Sequence, residues 1–487
     1  MIIEILGAKM LSPYFGMSHF VWTAQIATTL VALAAGYYAG GRYADKSQEI
    51  SRLYWAILGA AGYMAVGVLA CKPISYWGLG FNLAVGSLVA SFLLFFVPLA
   101  LLAMTVPFLV KVITASLTNV GGNVGRLTAI STVGSFIGTI IIGYVLIPYL
   151  PNSVTMFLTA LALLLICTGY FGVFRRPAFG PLTLILALTI LSALLLRSSM
   201  THQYKNLVEL FFGNSHFGQL QVLDRQDGSC RYYLNDFLTQ NTYDPMTKQS
   251  MSHFTYMLSG LARAYTTNIQ DVLCIGLGVG IVPMDFARKG AAVDVVEINP
   301  AVVPVGSKFF GLETNKLHLT LDDGRHFLNQ CQKKYDAVVL DAFLGDSSPS
   351  HLLSREAFGE IHKVLRPGGV LVINAFGDTE TGRDFFAASI NKTLKAVFRT
   401  VKIHGNGDGG MFYVAGDRAP LDFVHPPDLS DVHADVVQNT KDSFDGLMDT
   451  DPQHGRVLRD DYNPAEFYDA KNREELRRRL AMGARRM

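Results

Sequence analysis

Residues 271–280, "DVLCIGLGVG", place three glycines at alternate positions directly after a short apolar run. The apolar run predicts a buried strand, and the segment that follows, "IVPMDFARKG", predicts a helix. Glycines at positions 276, 278 and 280 let the backbone turn tightly at the end of the strand and approach a ligand closely. The stretch therefore predicts an α/β unit with a nucleotide-type binding loop.

Later segments repeat the alternation of strand and helix, and each strand ends in a carboxylate. "AAVDVVEINP" carries Glu297 at its end, 297 − 276 = 21 residues after Gly276, a spacing at which an acid can accept both hydroxyls of a ribose. The carboxyl ends of parallel strands meet at one sheet edge, where such sheets bind ligands. We therefore expect further acids at the same edge. After "KLHLTL" and "YDAVVL" these are Asp322, Asp323, Asp341 and Asp346.

The first two hundred residues have a different composition from the rest. The chain of 487 residues is 50% hydrophobic and only 16% charged, which is too apolar for an ordinary soluble protein. Before Leu196 the acidic residues are Glu4, Asp45 and Glu49, and apolar runs are long enough to cross a bilayer. The predicted spans lie near 18–40, 53–71, 81–110, 127–150 and 152–174. The opening helix and the shorter "GPLTLILALTILSALLLR" bring the total to six or seven, in a membrane domain of residues 1–200.

Basic residues concentrate in the loops near 40–52, 111–126 and 175–176, which predicts that these loops face the cytoplasm of a multi-pass protein in the cell membrane. The side of the membrane on which the second part of the chain lies depends on whether residues 181–196 cross the bilayer completely. Cysteines 230, 274 and 331 show no paired spacing, which favours the cytoplasmic side and leaves the other open. Gly134, Ser135, Gly138 and Gly143 suit close packing of one helix in lipid.

After the membrane domain the sequence predicts three regions. Residues 205–262 contain "FGQLQVLDRQ" and "CRYYLNDFLTQ", which read as a small β-hairpin region, and then the connecting helix "SMSHFTYMLSGLARAY". Residues 263–425 are the Rossmann-like α/β domain, and residues 426–487 are a polar tail ending in a charged amphipathic helix. The net charge of +2 and the absence of a basic stripe with aromatics argue against nucleic acid. No metal-ligand pattern is present, so no metal is expected.

The glycine loop, the ribose acid, "DDG" and "LRPGG" together resemble the S-adenosylmethionine methyltransferase type of fold. "YDAVVLDAF" after "DDGRHFL", preceded by "HFTYML", resembles the spermidine synthase (polyamine aminopropyltransferase) family. The membrane block, with "GYYAGGRYADK", resembles a branch in which that domain is fused to transporter-like helices. The resemblance implies decarboxylated S-adenosylmethionine, or S-adenosylmethionine itself, as cofactor and a small-molecule amine as acceptor. A lipid bilayer is an expected partner, and a homodimer is left open.

The resemblance also implies roles for individual residues. Asp341 matches the catalytic aspartate, and Asp346 is the second catalytic acid if the loop is shifted relative to the family. The implied cofactor-binding residues are Gly276, Gly278, Gly280, Glu297, Asp323, Gly324, Asp341 and Pro349. The implied substrate-binding residues are Gln219, Gln240, His253 and Tyr256.

Two positions depart from the family pattern. Val279 stands where the family has an aspartate that recognises the aminopropyl amine, and Leu344 stands where it has the second aspartate of the catalytic loop. Two alternatives therefore stay open. One is an S-adenosylmethionine-dependent methyltransferase acting on a small or lipid-soluble acceptor. The other is a transporter or sensor whose second part binds polyamine or cofactor without catalysis.

Overall fold

The structure is a computed structural model of the chain, and it divides into two compact units, Met1–Gln203 and Tyr204–Met487. The description covers all residues except 17–18, 115–119, 175–178, 201–205, 237, 344–348, 381, 469–471, 473 and 476–487.

The first unit is entirely helical in its described residues. Its helices are α1 (Ile2–Phe15), α2 (His19–Lys46), α3 (Ile50–Gly78), α4 (Leu83–Ala103), α5 (Thr105–Ile113), α6 (Val120–Ile140), α7 (Ile147–Tyr149), α8 (Asn152–Phe174) and α9 (Phe179–Met200). A π-helical stretch, Ile141–Leu146, joins α6 to α7. Five segments are long and apolar enough to cross a membrane: His19–Lys46, Ile50–Gly78, Leu83–Ile113, Val120–Tyr149 and Asn152–Phe174. They coincide with the five predicted stretches, and α9 contains the shorter apolar run Gly180–Leu191.

Close helix packing in this unit occurs at glycines of α2. A Cβ atom at Gly36 would lie 2.3 Å from the carbonyl oxygen of Ala100, and one at Gly40 would lie 2.7 Å from the Cα atom of Met104. The backbones of α2 and the α4–α5 segment therefore approach each other where only glycine fits. Of the glycines predicted to pack closely, Gly138 of α6 does so, because an added Cβ would lie 3.3 Å from the Ile2 side chain of α1. Gly134 of α6 and Gly143 of the π-helical stretch have no atom within 4 Å of an added Cβ.

The second unit begins with a five-stranded antiparallel sheet rather than a single hairpin. Its strands, in spatial as well as chain order, are β1 (Leu207–Ser215), β2 (Gly218–Arg225), β3 (Arg231–Asn235), β4 (Leu238–Asp244) and β5 (Gln249–Ser250). The predicted strand "CRYYLNDFLTQ" is divided between β3 and β4. The chain reverses there because Asp236 adopts a left-handed backbone conformation with φ of 47°.

An eight-stranded mixed sheet forms the centre of the second unit. Its strands are β6 (Asp271–Ile275), β7 (Ala292–Glu297), β8 (His318–Leu321), β9 (Tyr335–Leu340), β10 (Leu365–Phe376), β11 (Thr400–His404), β12 (Gly410–Gly416) and β13 (Leu447–Met448). The spatial order is β13-β11-β12-β10-β9-β6-β7-β8, in which the last five strands are parallel and β12 runs against β10. The predicted α/β fold of this part is confirmed.

Helices cover both faces of this sheet. They are α10 (His253–Tyr265), α11 (Ile281–Arg288), α12 (Val302–Phe309), α13 (Gly324–Gln330), α14 (Arg355–Val364), α15 (Phe385–Lys395), α16 (Val437–Asp445) and α17 (Ala465–Tyr468). Neighbouring residues of the central strands point to opposite faces, so Leu273 packs in one apolar cluster with Phe358 and Cys274 packs in another with Phe286. The continuous apolar strands follow from burial on both sides.

Residues 437–458, which the sequence analysis placed in a polar tail, are part of this unit. β13 pairs with the edge strand β11, and the backbone N–H of Leu458 donates to the Thr393 hydroxyl over 2.9 Å. The buried His404 ring connects Tyr265 to the carbonyl oxygen of Phe444 through hydrogen bonds of 2.8 and 2.9 Å. Tertiary hydrogen bonds that composition does not reveal hold this polar segment in place. The predicted charged helix at the very end lies mostly outside the described residues.

Candidate active site

The ends of β6, β7 and β9 are tied together at the glycine loop. The backbone N–H of Gly276 donates to Val296 over 2.8 Å, and the N–H of Asp341 donates to Ile275 over 2.9 Å. Gly276 has φ of 101°, and a Cβ atom there would lie 2.2 Å from the carbonyl oxygen of Asp341. Only glycine fits this turn, because it must bring the loop against the strand that carries Asp341.

A cavity of about 210 Å³ opens at this edge of the sheet. It is lined by eight of the predicted site residues: Gln240, Gly276, Gly278, Glu297, Asp323, Gly324, Asp341 and Pro349. These residues are distant from one another in sequence, and the parallel arrangement of the strands brings them to the same edge of the sheet. The sequence argument that strand ends converge on one ligand site is consistent with this geometry.

Glu297 is fixed at the end of β7 by the backbone on both sides of its carboxylate. Its Oε2 atom accepts the N–H of Leu277 over 2.9 Å, and its Oε1 atom accepts the N–H of Asn299 over 2.7 Å. Burial raises the pKa of this carboxyl, and the two backbone N–H groups act in the opposite direction. Each oxygen keeps a further lone pair, so the carboxylate can accept a pair of neighbouring hydroxyl groups from a ligand.

Asp341 follows the end of β9 and is the carboxylate with the largest pKa shift at the site. Burial raises its pKa to about 6, the negative charge of Glu297 adds to the increase, and the hydrogen bond from Asn374 opposes it. The Asn374 amide donates to Oδ1 over 2.9 Å. That bond orients the carboxylate and leaves Oδ2 available to accept a proton.

Asp323 caps the start of α13 at the other side of the cavity. Its Oδ1 atom accepts the N–H groups of Arg325 and His326, and its Oδ2 atom lies 3.0 Å from Nε2 of His351. A helix N-terminus with a capping acid is held rigidly because the cap satisfies backbone donors that have no partner within the helix. Asp323 and Gly324 therefore present a fixed edge to the cavity.

The charge of the cavity wall is negative. Glu297, Asp322, Asp323 and Asp341 line it, and no Lys or Arg is present among its described residues. A low-dielectric cleft lined by one sign of charge attracts ligands of the opposite sign. The wall therefore suits a cationic ligand, such as a sulfonium or an ammonium, and disfavours a phosphate.

Four predicted residues are placed away from the cavity lining. Gly280 starts α11, where a Cβ would lie 2.7 Å from Leu312, and Gln219 is tied to Asp236 through its backbone N–H. His253 packs edge-on against Phe412, and burial lowers its pKa. The Tyr256 hydroxyl donates to the carbonyl of Ser250 over 2.8 Å. Asp346 and Leu344 lie outside the described residues.

Several cavity residues were missed by sequence reasoning. Asn374 lies near the end of β10, which is the neighbour of β9. Its occurrence as a polar residue in the apolar strand "VLVINAF" was the signal that could have indicated a site residue. Tyr233 and Asn241 come from the antiparallel sheet, and no motif marks them. His351 belongs to no motif or ligand spacing in the sequence, and its Nε2 atom lies 3.0 Å from Oδ2 of Asp323. The remaining lining includes the aromatic side chains of Phe217, Phe254, Phe343 and Phe376.

Comparisons with known proteins agree with this geometry. Residues 251–404 match the family described as the spermine/spermidine synthase domain. A polyamine aminopropyltransferase of Vibrio vulnificus is 29% identical over 217 residues, which cover 42% of this chain and 69% of the relative. An N-terminal histidine N-methyltransferase of Emericella nidulans is 30% identical over 138 residues, which cover 27% of this chain and 24% of the relative.

Among solved structures, a probable spermidine synthase from Corynebacterium glutamicum aligns with a TM-score of 0.38 and 16% identity, covering 45% of this chain and 81% of that one. This chain thus spans about two thirds of the first curated relative and about a quarter of the second. The matched region is the α/β part that carries the cavity. Residues 251–404 are thus similar to a spermine/spermidine synthase domain, and the similar curated proteins named above are transferases.

Proposed function

We propose that this chain is a membrane-bound aminopropyltransferase. It moves an aminopropyl group from decarboxylated S-adenosylmethionine to an amine acceptor, with Asp341 as the base. The observation that carries the proposal is the position of Asp341: a carboxylate with a pKa near 6, tied to the glycine loop, in a cavity whose described lining has carboxylates and no Lys or Arg.

The donor fits the residues of the cavity. The remaining lone pairs of Glu297 suit the two ribose hydroxyls, and Asp323 with Gly324 suits the adenine side. The carboxylate-lined wall suits the positive sulfur. When bound, the sulfonium supplies an electrophilic methylene carbon.

Asp341 acts on the acceptor. An ammonium has no lone pair with which to attack, so the amine must lose a proton before or during the transfer. The free Oδ2 atom of Asp341 accepts that proton while Asn374 holds Oδ1. Because its pKa is about 6, the carboxyl is ionised at neutral pH and is a stronger base than an exposed aspartate.

The helical unit is the membrane anchor in this proposal. Five of its segments have the length and hydropathy of membrane spans. The free cysteines of the second unit, Cys230, Cys274 and Cys331, support a cytoplasmic location for the α/β part.

Asp341→Asn tests the role of the base with purified full-length protein in detergent, decarboxylated S-adenosylmethionine and a panel of alkyl diamines. The variant should retain donor binding and lose turnover by about 10²-fold or more, the usual effect of removing a general base. Asp227→Asn is the matched control, because Asp227 lies in an exposed turn and an asparagine can keep its bonds to Ser229. Turnover of Asp341→Asn at the level of the control would remove Asp341 from the mechanism.

A methyltransferase is the second candidate function. It is favoured by Val279, which is buried in an apolar cluster and offers no charge to an aminopropyl ammonium, and by the similarity to the histidine N-methyltransferase. Product analysis separates the two reactions. Methylthioadenosine indicates aminopropyl transfer, and S-adenosylhomocysteine indicates methyl transfer. Donor binding without either product would support the non-catalytic sensor or transporter instead.

A further inference from the structure

A pair of uncharged polar side chains faces the glycine loop from the antiparallel sheet. Tyr233 on β3 and Asn241 on β4 are directly paired in the register of the two strands, so their side chains project from the same face. Tyr233 is 3% exposed and Asn241 is 6% exposed, and both line the cavity. Two buried polar groups are thereby held next to each other at the ligand site.

Neither side chain has a hydrogen-bond partner among the residues that the structure describes. The ring of Tyr233 packs edge-on against Phe310, but its hydroxyl is not bonded, and burial raises the pKa of Tyr233 far enough to keep that hydroxyl protonated. The amide of Asn241 is likewise unbonded. Both residues line the cavity, so their unbonded polar atoms are available to hydrogen-bond a ligand there.

The position of the pair defines which part of a ligand it meets. The Oδ1 atom of Asn241 lies 3.7 Å from where a Cβ at Gly278 would be, so it borders the glycine loop. The Glu297 carboxylate accepts the N–H of Leu277 of the same loop, so a ribose bound at Glu297 would lie beside the loop and the pair. The side chain of Val279 lies in the apolar cluster with Leu220 and Val222 and leaves the loop without a charge.

We infer that Tyr233 and Asn241 bind the polar end of the alkyl chain on the donor's sulfur, and that this uncharged pair admits donors with and without a carboxylate. The inference rests on the proposed function, since it places the adenosyl part at Glu297. An amide and a hydroxyl accept hydrogen bonds from an ammonium and donate to a carboxylate. A fixed carboxylate at the same place would attract the first group and repel the second.

The test measures binding by calorimetry on the full-length protein with three ligands: decarboxylated S-adenosylmethionine, S-adenosylmethionine and methylthioadenosine. The third ligand contains the adenosyl core and lacks the polar end of the chain. Tyr233→Phe and Asn241→Ala should each raise the dissociation constants of both sulfonium donors by about tenfold or more, which is the effect expected when a hydrogen bond to a charged group is lost. Both variants should bind methylthioadenosine within twofold of the wild type.

Asn241→Asp tests the charge argument separately. We compare the dissociation constant of S-adenosylmethionine with that of its decarboxylated form. The variant should raise this ratio about tenfold or more above the wild-type ratio, because the new aspartate and the carboxylate of S-adenosylmethionine repel each other at a desolvated site. Tyr232→Phe is the matched control, since Tyr232 is the next residue of β3 and faces the cluster with Leu223 and Leu234 instead. It should leave all three affinities unchanged.

The inference fails if Tyr233→Phe and Asn241→Ala bind both donors as tightly as Tyr232→Phe does, or if Asn241→Asp leaves the ratio unchanged. A different result marks failure of the proposed function itself. If wild-type protein binds neither methylthioadenosine nor the two donors, the adenosyl site does not exist.

Discussion

The two units of this chain expose opposite kinds of surface. In Met1–Gln203, large apolar side chains face outward: Phe136 is 64% exposed, and no described residue of α6 is buried. In Tyr204–Met487, Phe358 and Phe412 are completely buried between sheet and helices. The same residue types are distributed in opposite ways, which is expected if lipid solvates the first unit and water the second.

In the proposed function, the first unit is the membrane anchor and the second unit carries the chemistry. The cavity with acids at strand ends is lined by described residues of the second unit. There, a parallel sheet covered by helices brings side chains that are distant in sequence to one edge. Helices in lipid satisfy their own backbone hydrogen bonds and need only an apolar surface. Substitutions at matched positions, in the two units or within the second, test this difference.

The largest effect is expected from removing a phenylalanine ring. Phe358→Ala should destabilise the second unit by about 3–5 kcal/mol, because it leaves a cavity in a close-packed core. Phe136→Ala in α6 removes an outward-facing ring and should leave the stability of either unit nearly unchanged. The readout is the temperature at which the buried Cys274 thiol becomes reactive in the full-length protein, located by mass spectrometry. Equal shifts for the two variants would contradict the contrast.

A charge placed on an exposed apolar position gives the converse test. Val133→Asp, at a 56% exposed position near the middle of α6, should disfavour membrane insertion by about 2.5–3.5 kcal/mol. Leu447→Asp, at a 61% exposed position of β13, should change stability by less than about 0.5 kcal/mol. Glycosylation mapping in microsomes measures the insertion of Val133→Asp, and the reactivity of the Cys274 thiol measures the stability of Leu447→Asp. Unimpaired insertion of Val133→Asp would mean that α6 does not face lipid.

Glycine-to-alanine substitutions in the two units should also differ in their effect on stability, but by a smaller amount. Gly276→Ala places a methyl group against the backbone of Asp341 at φ of 101° and should cost about 1–3 kcal/mol, with weakened donor binding. Gly134→Ala in α6 meets no atom within 4 Å and should be neutral or slightly stabilising. Calorimetry with methylthioadenosine checks the first variant. Wild-type affinity in Gly276→Ala would show that the loop does not shape the donor site.

The smallest effect is a pH dependence confined to the cavity. Because burial raises the pKa of Asp341 to about 6, its basic form is lost as the pH falls through 6, and kcat/KM should drop about tenfold per pH unit below that value. Asp227, by contrast, has its pKa lowered by the hydroxyl and backbone N–H of Ser229. The profile of Asp227→Asn should therefore match the wild type. An acidic limb near pH 4 in the wild type would argue against Asp341 as the titrating group.

Much of the fold could be predicted from periodicity and from glycines. The strand that precedes Gly276, the helix that follows Gly280 and the parallel strands ending at Glu297 and Asp341 all leave local signals that a reader of the sequence can recognise. Long apolar runs likewise mark the helices of the first unit. These signals are local because strand and helix periods repeat within a few residues.

The rest of the site depends on contacts between segments that are distant in sequence. Of the four residues that the resemblance assigns to the substrate, Gln240 lines the cavity, whereas Gln219, His253 and Tyr256 are not among its lining residues. Asn374 reaches Asp341 only because β10 lies beside β9. Tyr233 and Asn241 become neighbours only through the pairing of β3 with β4.

The order of a helical, lipid-compatible part and an α/β part with a glycine loop and acids at strand ends is readable from local sequence patterns. Hydrophobic periodicity and glycine spacing are properties of short segments, so no tertiary information was needed. Which polar groups share the cavity, and which acid is desolvated enough to be a base, depends on the packing of distant segments. Burial and strand register arise only when distant segments pack together, and they set the chemistry of each side chain.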